Sequence, residues 1–137
     1  MSNIPELNKN VMDTILALKE MPEVQKGLQL CLDQEPYAMQ EQITICEIPA
    51  PTFKEEVRGK YLASLMEKYG LEDVHLDEIG NCVGLLKGTN NGPVLAMGAH
   101  MDTVFPEGTP IKVTQEGNVY HAPGIGDNCS GLRALMQ

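Results

Sequence analysis

His100 and Asp102 stand two apart in Ala99-His100-Met101-Asp102-Thr103-Val104, and Asp127 follows the glycines of Gly124-Ile125-Gly126-Asp127. On extended backbone, side chains two apart leave on the same side. Asp102 can therefore hold one imidazole nitrogen of His100 while the other faces a metal ion. Such a carboxylate fixes the ring and raises its basicity as a ligand. Taken singly, each motif has a more ordinary role. A His-x-Asp in a loop is commonly a hydrogen-bonded pair, and an Asp before a helix commonly caps the free amides of its first turn. Asp127 would cap a helix running through Leu132, Ala134 and Leu135. The glycine loop does not suit phosphate: GxGxxG requires a glycine where Cys129 stands, and the lysine of a P-loop is missing. A third chemistry would make Cys129 a nucleophile, its thiol pKa lowered at a helix start, with His100 or His121 as base.

The elements that must position these residues change character near Gly70. Only two of the 13 glycines, Gly27 and Gly59, precede it. Val11, Ile15 and Leu18 share one helical face between Asn8 and Glu20. Pro22 and Pro36 can each open a further helix, the first with Val24, Leu28 and Cys31 at helical spacing. The second has an expected buried stripe of Met39, Ile43 and Cys46, ending at Ile48 before Pro49. Thr52 and Glu55 form a capping-box pattern for a helix over about 53–69, with Val57, Tyr61, Leu65 and Tyr69 on one face and Gly70 as its stop. Strands are expected over about 73–78, 81–86 and 94–99, with turns at Gly80-Asn81 and Asn90-Asn91-Gly92. A further pair is expected at about 110–115 and 118–121. The run Pro93–Ala99 is apolar on both faces, which predicts a central strand covered by helices. The fold class is α/β: N-terminal helices, then a mixed central sheet sandwiched by helices. Residues 1–50 form a helical lead-in, and residues 51–137 carry the sheet and the motifs. The two clusters sit at strand ends, where open α/β sheets build their sites.

Composition narrows the function. In 137 residues there are 19 acidic and 10 basic side chains, a net charge of −9. That balance excludes a general nucleic-acid binder, which needs clustered Lys and Arg. Six aromatics without Trp leave little for base stacking. No apolar run has the length of a membrane helix, and the polar start MSNIPELNKN lacks the apolar core of a signal peptide, so a cytoplasmic location is expected. Cys31, Cys46, Cys82 and Cys129 form no CxxC and are expected to be reduced and mostly buried.

Read in order, the two clusters are more specific than either alone. His100-x-Asp102-Thr-Val, a span holding a hairpin, and Gly-Ile-Gly-Asp127-Asn-x-x-Gly131 together resemble the zinc-dependent exopeptidases of the aminoacylase, peptidase T and glutamate carboxypeptidase superfamily. Ile48-Pro-Ala-Pro-Thr-x-x-Glu55 and Asn81-Cys-Val-Gly84 are similar to two earlier segments of that family. The resemblance implies that His100 binds one metal ion and Asp127 bridges two, with Asp102 the catalytic residue supporting His100. It implies Zn2+, two per complete site, with Co2+ or Mn2+ as substitutes. It also implies a cis peptide at Asp127-Asn128 and glycines that let the loop approach metal and substrate.

The activity so implied is amide hydrolysis by a metal-activated water, as an exopeptidase or N-acyl amino acid amidohydrolase. The partners are a small peptide or N-acyl amino acid, with no nucleic acid or membrane, and a homodimer of the full-length protein. A dinuclear zinc site needs about six ligand positions; His100 fills one and a bridging Asp127 two. By the resemblance the remaining ligands, the glutamate general base and a lid domain lie beyond Gln137. The chain is expected to be the N-terminal part of the catalytic domain, inactive alone and prone to associate through exposed apolar surface. Glu55-Glu56 reads as helix-start charge, and His75 as a structural strand residue. The alternative reading is a non-catalytic remnant or partner-binding fragment.

Overall fold

The structure is a computed structural model that describes residues 8–89 and 92–137. Along the chain the order is α1 (Lys9–Lys19), α2 (Pro22–Glu47), α3 (Glu56–Lys68), β1 (Glu72–Leu76), β2 (Cys82–Leu85), β3 (Thr114–Glu116), β4 (Val119–His121) and α4 (Cys129–Met136). Two compact units divide it, residues 1–36 and 37–137. Among the described residues no helix is long and apolar enough to cross a membrane.

In the first unit, Asn8 caps α1, its side chain accepting from the Asn10 amide at 2.9 Å. The apolar face Val11, Ile15 and Leu18 forms as expected by spacing but is exposed. Pro36 does not open a separate helix. It lies inside α2, which is continuous from Pro22 to Glu47. A proline in mid-helix removes its own amide bond and crowds the carbonyl four residues back, yet the flanking residues keep helical geometry here.

In the second unit a core gathers Ile45 and Cys46 of α2, Leu62 and Leu65 of α3, and Cys129 and Leu132 of α4. Full burial of a side chain such as Leu62 or Ile45 stabilises by about 1.5–3 kcal/mol. The stripes are rotated by about one residue from the expected ones. On α2 the buried residues are Ala38, Gln42, Ile45 and Cys46, with Met39 and Ile43 half-buried. On α3 they are Arg58, Gly59, Leu62, Leu65 and Met66, whereas Val57 and Tyr69 are exposed. Tyrosine and valine gave the expected face its apolar weight, yet the pattern 58-62-65 turns an arginine inward. Gly59 packs closely there: a Cβ would lie 3.0 Å from Cδ2 of Leu76, which would have to give way by a few tenths of an ångström.

The central sandwiched sheet is not what forms. Two separate antiparallel hairpins occur instead, β1 with β2 and β3 with β4. In the first, Asp77 closes the turn by accepting from the amides of Ile79 and Asn81, and Gly80 takes φ +95°. The expected strand over 94–99 is absent: Val94 is 90% and Leu95 81% exposed. An all-apolar strand is held by partners on both edges and cover on both faces, and among the described residues no strand pairs with it. Asn90 and Asn91 of the expected turn before it lie outside the described residues. The cysteines also differ from expectation, since only Cys46 and Cys129 are buried and Cys31 is exposed.

Candidate metal centre

The two sequence clusters meet. His100 Nε2 lies 2.8 Å from Asp127 Oδ1, and Nδ1 lies 3.1 Å from Asp102 Oδ1. One imidazole is thus held between two carboxylates, one on each ring nitrogen. This raises the His100 pKa above its ordinary value, chiefly through the hydrogen bond to Asp127 and further through Asp102. The Asp127 side chain is 92% exposed and the His100 side chain half-exposed, so the pair opens to solvent. The other two histidines stay outside this group: His75 and His121 lie on β1 and β4 and are exposed.

Two loops carry these groups, and α2 anchors the second. Gln42 Nε2 donates to Ile125 O at 2.6 Å, and the Cys46 thiol donates to Pro123 O at 3.5 Å. The loops touch at Gly124, whose φ of +80° suits glycine and whose absent Cβ would lie 2.9 Å from Thr103 Cγ2. A side chain there would push the His100 loop from the Asp127 loop. The Asp127-Asn128 peptide is cis, as the resemblance implied. Asn128 flanks α4 without a side-chain capping bond, and Asp127 turns toward His100 rather than capping the helix.

Three supporting residues escaped the sequence reading. Thr52 does not cap α3; its hydroxyl donates to Asp102 Oδ2 at 2.9 Å, so both oxygens of Asp102 are engaged. Glu55 is the N-cap residue of α3 but makes no side-chain capping bond, its carboxylate accepting instead from the Phe53 amide ahead of the helix. Gln42 is buried although polar, and Arg58 is buried although charged. The signal for Arg58 was its spacing of four and seven from Leu62 and Leu65; for Thr52 there was none beyond its place in the proline-rich segment.

Cys129 is fully buried, which keeps a substrate from its sulfur. Its thiol pKa is lowered to about 7, first by its interaction with the Cys46 thiol beside it, whose own pKa is pushed up. The pair is a packed contact of the core. An accessible nucleophile at Cys129 is not supported by this burial.

An imidazole nitrogen and a carboxylate oxygen that already converge suit zinc and related divalent ions. Among the described residues no group of three or more His, Cys, Asp or Glu side chains could enclose an ion. The fit is therefore that of part of a ligand set.

Over 92 residues, 67% of its length, the chain is 34% identical to a protein of Pyrococcus abyssi. It is 39% identical over 69 residues to one of Pyrococcus furiosus, and 34% identical over 93 residues to one of Pyrobaculum aerophilum. All three bear the provisional name LysW-lysine/LysW-ornithine hydrolase. The likeness is to hydrolases. The matched segments span 26%, 20% and 26% of those relatives, so the chain corresponds to about a quarter of their length. No family model matches the chain.

Proposed function

We propose that this chain supplies part of the active site of a metal-dependent hydrolase that cleaves an amide bond and releases an amino acid. The observation that carries the reading is His100 gripped at both ring nitrogens, by Asp102 and Asp127. The similarity to hydrolases supports the reaction class.

His100 Nε2 and the Asp127 carboxylate are the groups that would hold zinc, with Co2+ or Mn2+ able to replace it. Bound there, the ion would supply Lewis acidity toward the scissile carbonyl and make water a nucleophile near neutral pH. With the ion bound, Asp102 would hold the ring proton on Nδ1 and leave Nε2 as the donor atom. Thr52 keeps Asp102 from turning away. Further ligands and a glutamate general base would come from residues outside this chain. The relatives' names specify LysW-lysine and LysW-ornithine, so lysine or ornithine in amide linkage joins dipeptides and N-acyl amino acids as the substrates to test.

On the full-length protein, chelation should abolish hydrolysis of such a panel and zinc should restore it. Hydrolysis that survives chelation, or survives loss of both His100 and Asp127, would refute the reading. A non-catalytic alternative is favoured by the two-member ligand set. Zinc binding by the 137-residue chain at micromolar or tighter affinity would contradict it.

A further inference from the structure

Arg58 is a buried cation that the reaction does not use. Its side chain is only 1% exposed, at the start of α3. Burying a guanidinium costs several kcal/mol unless its donors are met. They are met by main-chain carbonyls. Nε and Nη2 donate to Ile48 O at 3.1 and 2.6 Å, and Nη2 reaches Cys46 O at 3.4 Å. Cys46 lies in the last turn of α2 and Ile48 just past its end, where terminal carbonyls lack helical partners and a cation is favoured. Capping of α2 would be satisfied by those bonds alone.

The remaining bond has a different destination. Nη1 donates to Met101 O at 2.6 Å, across 43 residues of sequence. Met101 is the residue between His100 and Asp102. A held carbonyl fixes the plane of the peptide leading into Asp102, because that peptide is rigid. On the far side of Asp102, the Thr103 amide donates to Ala50 O at 2.8 Å. The backbone of Asp102 is thus pinned on both flanks, to the end of α2 by Arg58 and to the proline connector by Thr103. The same α2 grips the Asp127 loop through Gln42 and Cys46. Arg58 therefore ties the first cluster to the helix that already holds the second.

We infer that Arg58 is a positioning residue for the metal centre, holding the His100–Asp102 turn so that His100 meets Asp127. The inference rests on the proposed metal reading for its consequence, and on Met101 for its geometry. Lysine cannot replace it, since one ammonium cannot span three carbonyls as a planar fork does.

The test uses Arg58→Met, which keeps volume and removes the donors, and Arg58→Lys, which keeps the charge. In metal-free full-length protein, ring-nitrogen NMR shifts of His100 report its hydrogen bonds to Asp102 and Asp127, and thermal melting reports the fold. Wild-type protein should show one set of shifts with both ring nitrogens hydrogen-bonded. Arg58→Met should replace it with exchange between several arrangements, and Arg58→Lys should do so less. Zinc titration should show affinity falling by roughly tenfold in Arg58→Met, within the range for residues that orient a ligand. Either folded variant with wild-type ring shifts and wild-type zinc affinity would overturn the inference. If Arg58→Met does not fold, the Lys variant decides by the same readings. Should wild-type protein bind no zinc, the metal reading falls, and the ring shifts alone still decide the role of Arg58.

Discussion

His100 Nε2 and Asp127 Oδ1 stand 2.8 Å apart although 27 residues separate them in sequence. Between them lie the hairpin of β3 and β4 and the glycine loop. That contact brings an imidazole and an exposed carboxylate to one point, with Asp102 holding the opposite ring nitrogen. The arrangement leads to the following predictions.

Asp102→Asn keeps the shape of the side chain and removes its charge. Zinc affinity of the full-length protein should fall by about 10–100-fold, as for other carboxylates that orient a ligating histidine. The thermal midpoint should change little, because the Asp102 side chain is a third exposed. Calorimetric zinc titration beside a melting curve checks both. A large loss of stability with unchanged affinity would show a structural role instead.

Thr52→Val deletes the hydroxyl that donates to Asp102. A hydrogen bond to a partly exposed carboxylate is worth about 1 kcal/mol, so zinc affinity should fall about fivefold. The loss should disappear when Asp102 is already Asn, since the two act through one contact. A double-mutant cycle measures this, and additive losses would contradict it.

Much of this was legible in the sequence. The two hairpins follow from local spacing and turn chemistry, whereas the cis peptide at Asp127-Asn128 and the pairing of the two clusters were implied by the family resemblance. Local pairs such as Glu72 with Leu85 need only a short loop to form. The sandwiched sheet was not realised, because strand character in Pro93–Ala99 depends on neighbours that residue type cannot supply. The roles of Thr52 and Arg58 were hidden for a related reason. Each acts on a backbone or side chain more than 40 residues away, and the local patterns, a capping box and a charged helix start, suggested nearer partners.

Gly124→Ala should separate the two loops. Its positive φ strains any side chain, and the new Cβ would lie 2.9 Å from Thr103 Cγ2. A loss of more than about 1 kcal/mol in stability is expected, with weakened zinc binding. Denaturant unfolding and zinc titration measure the two effects. An unaffected protein would mean that the loops do not meet at this glycine.

The pH dependence has a definite sign. The pKa of His100 is raised above 6.5 by its hydrogen bond to Asp127, opposed by burial and helped by Asp102. A raised pKa means that the folded state favours the imidazolium. Its stabilising contribution is fully present below the unfolded value and is lost as pH rises through the folded one. In metal-free protein the stability difference between wild type and His100→Asn should therefore shrink as pH rises from about 6 to 9. Zinc affinity should move oppositely and rise over the same range, since a ligating imidazole must be neutral. Denaturant midpoints across this range test the first statement, and a constant difference would contradict it.

The most direct measurement is anomalous diffraction at the zinc edge from crystals of the full-length protein grown with zinc. A peak in contact with both His100 Nε2 and the Asp127 carboxylate is the predicted result. Zinc found elsewhere in the molecule, or His100 and Asp127 still hydrogen-bonded to each other at saturating zinc, would contradict the account.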